Sequence, residues 1–176
     1  MSKAGKAFES EVQKSLKRLK EINKKNFVWR RIPDASDYAV NWCSNCRTYK
    51  KNKLILGKNP ADFVFTFKGK TTYLEAKSSM ATRYVLDWIK DHQVTDLIEH
   101  KQAGCNAYIF LSYRASLAGR RKKKKIYEKN MAWLIFPEDI LRIKKDNVSL
   151  SWNQIESIGI SIVKKKGVWN LGDILD

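Results

Sequence analysis

The sequence predicts an α/β domain built on a mixed central β-sheet flanked by helices. Three observations carry that prediction. Residues 5 to 23 repeat apolar side chains at helical spacing. Residues 61 to 67 and 71 to 77 alternate like the arms of a β-hairpin. Asn106 to Tyr113 and Ala132 to Phe136 are apolar runs of the length of buried central strands. The order α-β-(loop)-β-β-α-β-β gives one mixed-sheet unit. A chain of 176 residues suffices for one domain that buries about 70% of its unfolded surface. No repeat or linker divides it, so residues 1–176 are read as a single domain.

Each element has its own signal. In the first helix Phe8, Val12, Leu16, Leu19 and Ile22 follow at steps of four, four, three and three. Phe27 to Ile32 reads as a strand closed by Pro33. Residues 34 to 58 are polar and irregular, with Cys43-Ser44-Asn45-Cys46 and a basic run around Lys50. An aperiodic segment of that length inside a domain is usually functional or mobile. Lys68-Gly69-Lys70 supplies the hairpin turn. Val85, Trp88, Ile89, His92 and Asp96 predict one face of a helix over roughly 83 to 102, ended by Gly104. Pro137 suits the first turn of a short helix over 137 to 141. The tail predicts a short helix from Ser151, a strand over 160 to 163 and a turn at Lys164 to Gly167.

The formal charge of +17 implies a polyanionic partner. With 43% hydrophobic and 11% aromatic residues a packed core is expected, which excludes a disordered basic protein. No apolar run nears the roughly 18 residues of a membrane span, and the N-terminus lacks a signal-peptide pattern, so an intracellular protein is expected. A membrane-surface protein would carry an amphipathic basic helix with exposed aromatics, whereas the first helix offers only aliphatics and Phe8. The three cysteines read as free thiols. Cys43-x-x-Cys46 is half a zinc site, and Cys105 reads as a buried thiol before a strand.

The chemistry concentrates in Pro60-Ala61-Asp62 and Glu75-Ala76-Lys77. Strand side chains alternate, so Glu75 and Lys77 share a face and Ala76 takes the other. Asp62, thirteen residues earlier, opens the first arm of the same hairpin. Two carboxylates and an ammonium on one sheet surface suit a divalent metal and an activated water, hence phosphodiester hydrolysis. The plain alternative is a surface hairpin with ordinary charges. Against it, Asp62 lies two residues after Pro60 at the start of an apolar strand, and Glu75 sits among apolar neighbours where a carboxylate needs a partner. Glu9 follows core-facing Phe8 and is either an exposed helix acid or a further metal ligand reaching the sheet edge. His92 falls at an apolar-face position, where histidine is more often a core residue than a ligand. Its neighbour Gln93 could orient a water or a phosphate oxygen.

Gly5-Lys6-Ala7-Phe8-Glu9, Pro60-Ala61-Asp62, Glu75-Ala76-Lys77-Ser78, Leu86 and His92-Gln93, in this order, resemble the RecU-type Holliday junction resolvases. Those enzymes belong to the restriction-endonuclease-like superfamily with the Asp…Glu-x-Lys signature. The resemblance spans roughly residues 3 to 113 and implies a restriction-endonuclease-like fold. It implies metal-binding carboxylates at Asp62 and Glu75, with Mg²⁺ as cofactor and Mn²⁺ able to substitute. Lys77 would assist the nucleophile, Glu9 would be a supporting acid, and Gln93 would act near the site. It also implies a homodimer that nicks opposed strands of a four-way junction in recombination and repair. In that family the segment before the catalytic aspartate is a stalk entering the junction, a place taken here by residues 34 to 58. The family often has threonine before the aspartate, where this chain has Ala61.

Arg30, Arg31, Lys50, Lys51 and Lys53 precede the acidic hairpin, Lys68 and Lys70 sit in its turn, and residues 120 to 125 form the densest basic run. Singly each reads as solvated surface. Together they suit phosphate contacts, and six to ten such contacts would cost about 10³–10⁵ in affinity between low and moderate salt. Recognition of DNA shape needs phosphates rather than base edges. Arg30 or Arg31, on an ordered strand, is the better fixed clamp. Two other readings stay open: a related nuclease acting on flap, single-stranded or linear duplex DNA, and a catalytically inert DNA-binding module on the same scaffold.

Overall fold

The structure is a computed structural model and describes residues 3–33, 40–43, 45, 48–51, 60–115 and 126–175. Helix α1 (Lys3–Asn23) buries Ala4, Phe8, Val12 and Leu16, a stripe at i, i+4 spacing that lies on the sheet. Ile22 was expected on that stripe but is 64% exposed, because the helix continues past the surface it covers. Strand β1 (Phe27–Arg31) follows and pairs antiparallel with β4 (Phe63–Phe67), Arg31 opposite Phe63. Between them, where an irregular segment was expected, β2 (Val40–Cys43) and β3 (Thr48–Lys51) pair as a separate two-stranded hairpin. The rest of 34–58, with Cys46 and Lys53, lies outside the described residues.

Strand β4 turns into β5 (Lys70–Ser79) through Lys68 and Gly69, both with positive φ (47° and 84°), the twist a two-residue hairpin turn requires. Lys70, expected in the turn, already belongs to the strand. A crossover then leads to β7 (Asn106–Tyr113), which lies parallel to β5 with Glu75 opposite Ile109 and Lys77 opposite Leu111. Strand β8 (Met131–Ile135) pairs antiparallel with β7 and with β10 (Ile160–Ser161). The resulting six-stranded mixed sheet has the order β1-β4-β5-β7-β8-β10.

The crossover is where the structure departs most from the sequence reading. Residues 83 to 90 are not helical: β6 (Arg83–Val85) and a 3₁₀ turn (Leu86–Trp88) precede α2 (Asp91–Gln102). Tyr84 and Leu86 are buried at alternate positions, the period of a strand, and β6 pairs with β9 (Ser149–Ser151) from the far end of the chain. Long-range pairing overrides the weak helical spacing here. Helix α2 buries Val94 and Leu97, while His92 is only half-buried. It ends at Gly104, whose φ of 91° favours glycine. Cys105, expected in the core, is half-buried.

Two cores sandwich the sheet. On one face α1 packs on Phe27, Phe63, Phe65, Leu74, Ala76 and Phe110, closed by Trp169 and Leu171 of the tail. On the other, α2, α3 (Pro137–Lys144) and α4 (Trp152–Ile158) cover Ile109, Leu111, Tyr113, Trp133 and Ile135. The tail is held by the hairpin β11 (Lys164–Lys165) and β12 (Val168–Trp169) and by a buried ion network. Arg114 donates to both Glu11 oxygens at 2.7 Å, Lys164 reaches Glu11 at 3.0 Å, and the Trp169 indole donates to it at 3.1 Å. Burial resists ionisation of Glu11, but these donors overcome it and hold the carboxyl below its ordinary pKa. Among the described residues no helix is long and apolar enough to cross a membrane.

Candidate active site

The site forms where β4 begins. Asp62 is the residue before that strand, and its carbonyl accepts the Ile32 N–H at 2.8 Å, extending the β1–β4 ladder by one rung. Its carboxylate turns to the other neighbour: Oδ2 accepts the Ala76 N–H at 2.8 Å. The side chain thereby takes a bond on β5 that a longer β4 would have made. A charged acceptor on a backbone N–H is a strong, orienting bond.

As the strand period requires, Ala76 faces the α1 core while Glu75 and Lys77 point to the α2 side. Glu75 is 1% exposed. Its Oε1 receives the Lys77 ammonium at 2.6 Å and the Gln93 amide Nε2 at 2.5 Å. Gln93 sits in the first turn of α2, and its other amide atom, Oε1, accepts the Lys90 N–H at 3.2 Å. The residue that caps the helix is therefore also the one that grips the acid. Burial, and next the negative charge of Asp62, push the Glu75 carboxyl from 4.5 up to about 7, against the pull of Lys77 and Gln93. Two acids that interact this strongly in a desolvated place favour a cation between them.

Asp62, Glu75, Lys77, Gln93 and Glu9 line one cavity of about 500 Å³. Glu9, 7% exposed, reaches it from α1, and Arg31 stands 3.5 Å from its Oε2. Among the described residues no three acids, histidines or cysteines gather as a metal cluster. The candidate ligand set is thus the Asp62–Glu75 pair, with Glu9 elsewhere in the lining of the same cavity. Two hard oxygen donors suit Mg²⁺, which retains several waters and takes one or two carboxylates.

The basic residues separate. Arg31 joins the site through Glu9, whereas Arg30 projects from the opposite face of β1 and is exposed. Lys68 and Lys70 sit at the far end of the β4–β5 hairpin, about 20 Å of strand from Asp62. Lys68 lies over the Phe67 ring at 4.9 Å. Lys50 and Lys51 fall on β3, with side chains outside the description, and residues 120–125 lie outside it altogether.

Sequence reasoning missed the second wall of the cavity, formed by Met80, Ala81, Tyr84 and Trp88. The Tyr84–Leu86 alternation was the available signal, masked by an overlapping helical spacing. Tyr84 is fully buried, and its hydroxyl has no hydrogen-bond partner among the described residues. Burial, and then the charge of Glu75, raise the pKa of this hydroxyl far above its ordinary value, so it remains a proton donor.

No known protein-family profile matches the chain. None of the curated proteins matches it. Among solved structures, a similar chain is Hjc of Archaeoglobus fulgidus, described as a Holliday junction resolvase from an archaeal hyperthermophile. It is 12% identical, the match covers 85% of this chain and 94% of that one, and the TM-score is 0.43, a loose likeness.

Proposed function

We propose that this chain is a metal-dependent endonuclease of the restriction-endonuclease-like class that resolves four-way DNA junctions. The observation that carries the proposal is the convergence of Asp62, Glu75 and Lys77 in one cavity, with Gln93 gripping Glu75. Asp62 and Glu75 would hold Mg²⁺, which when bound supplies a Lewis acid and a water of lowered pKa. The protein's own groups do the rest. Lys77 brings a compact positive charge to the place where a phosphate gains negative charge during attack. Gln93 and the Ala76 N–H fix the two carboxylates, so the acids need no reorganisation when the substrate arrives. Glu9 holds Arg31 at the rim, where a guanidinium suits a neighbouring phosphate.

The net charge of +17 supports a nucleic-acid substrate, and the motif order of the junction resolvases supports a branched one. A four-way junction has two-fold symmetry, which a homodimer matches. The test is cleavage of a labelled four-way junction, its component duplex and its single strands, with and without Mg²⁺, beside Glu75→Ala. The expected result is paired, symmetric nicks in the junction only, lost in Glu75→Ala while binding persists. Cutting of flapped or linear DNA instead would keep the hydrolytic site and discard the junction. Salt-sensitive binding with no cutting would favour an inert DNA-binding module.

A further inference from the structure

The cavity is larger and more apolar than a metal and one phosphate require. Its volume of about 500 Å³ lies in the range of sites that enclose an organic ligand. One wall is the hydrolytic group, and the other is Met80, Ala81, Tyr84 and Trp88. Trp88 stands out within its segment: Tyr84, Leu86 and Ile89 around it are fully buried, yet Trp88 is 46% exposed. A lone exposed tryptophan is ordinary surface. This one lines the cavity that holds Glu75, and its backbone is fixed. The Leu86 N–H donates to the Val148 carbonyl and the Ile89 N–H to the Leu86 carbonyl, both at 3.0 Å, and Lys144 Nζ donates to the Ile89 carbonyl at 3.0 Å. Tyr84 supports one side of the indole edge-on, with centroids 5.5 Å apart and an 83° interplanar angle, leaving the rest open. The unpartnered Tyr84 hydroxyl in the same wall is a second, independent sign of a missing polar partner.

We infer that Trp88 is a stacking platform for the base of a nucleotide next to the scissile phosphate, with Tyr84 backing the indole edge-on. The inference rests on the nuclease reading of the same site. Aromatic side chains accept any base through its π-face, and a rigid ring loses little freedom on binding. Charge complements the choice: Lys77 and a chain of +17 draw the backbone in, while the acids leave a cation site for its phosphate. A base must leave its helical stack to reach Trp88, and this is least costly where it is already unpaired. The wall would therefore select DNA whose cut site lies at a branch point or an unpaired nucleotide.

The experiment uses the full chain and DNA carrying 2-aminopurine at the nucleotide beside the mapped cut, with Trp88→Ala and Trp88→Phe. The wild type is expected to quench the probe. Trp88→Ala should lose the quench, lose the preference for unpaired over paired cut sites, and bind the short single strand about 5- to 150-fold more weakly. Trp88→Phe should retain most of each property. Wild-type quenching and cut-site preference in Trp88→Ala would overturn the inference. The same titration of a single-stranded 2-aminopurine oligonucleotide in EDTA separates the two readings. If no DNA is ever cut, the nuclease assignment fails, and a Trp88-dependent quench still upholds the base site. If DNA is cut but no quench depends on Trp88, only the base site fails.

Discussion

The carboxylate of Asp62 completes the backbone ladder of Ala76: Oδ2 accepts its N–H at 2.8 Å, one position from Glu75 in sequence. One side chain thus serves the sheet and the candidate metal site together, and substitution can separate the roles. Asp62→Asn keeps a carbonyl oxygen for the Ala76 N–H but loses the charge. Asp62→Ala loses both. Cleavage should vanish in both variants. In thermal unfolding Asp62→Asn should stay near the wild type, and Asp62→Ala should lose about 1–3 kcal/mol, the cost of an unmet bond. Equal stability of the two would show that the ladder does not need the side chain.

Glu75 predicts an inverted pH dependence. Its carboxyl is raised from 4.5 to about 7 in the fold, so the native state binds the proton more tightly than the unfolded chain. The stability this provides is full below pH 4.5 and is lost as pH rises through about 7, by a few kcal/mol. Without metal, the melting temperature of the wild type relative to Glu75→Gln should therefore fall between pH 4.5 and 7. Because the cation competes with that proton, added Mg²⁺ should stabilise the wild type more at pH 8 than at pH 5.5. Parallel melting curves for the two proteins across that window would refute the buried-acid account.

Gln93 acts through Glu75. Gln93→Ala removes the bond to Oε1 and the side-chain acceptor for the Lys90 N–H. Metal affinity or cleavage should drop about 10- to 100-fold, the usual effect of losing a group that orients a ligand. The diagnostic readout is the Mg²⁺ dependence, which should shift to higher concentration while metal-free DNA binding stays unchanged.

The network at the tail predicts an asymmetry. Arg114 is 3% exposed, and its only ion-pair partner among the described residues is Glu11, whereas Glu11 also holds Lys164 and the Trp169 indole. Glu11→Ala strands a buried guanidinium and should cost about 3–5 kcal/mol. Arg114→Ala leaves the acid partnered and should cost less. Chemical denaturation of the two variants decides it, and the reverse order would contradict the network as described.

What the sequence made legible was local. The stripe of Phe8, Val12 and Leu16, the Lys68-Gly69 turn and the shared face of Glu75 and Lys77 are consequences of period and spacing, readable within about a dozen residues. Gln93 was placed near the site by the family resemblance rather than by spacing, and its contact with Glu75 spans 18 positions. What was illegible depends on partners far along the chain. Arg83 to Val85 extend because Ser149 to Ser151 lie beside them, and Arg83 bonds Ser149 across 66 positions. Arg114 meets Glu11 across 103 positions. Trp88 looked like one point on a helical face, and only the strand before it turns its indole toward the cavity.

Strands β1 and β4 are neighbours in the sheet although thirty-one residues separate Arg31 from Phe63, which face one another. The Ile32 N–H to Asp62 carbonyl bond closes the neck just beyond that pair. In effect the sheet treats everything from Pro33 to Ala61 as the loop of a single hairpin. Loop closure depends only weakly on length, about 0.6 kcal/mol per doubling. The segment is therefore a cassette: its length can change at little cost to the sheet, and under the proposed function such a change would alter which DNA shapes are gripped while the candidate site at its base keeps its own supports.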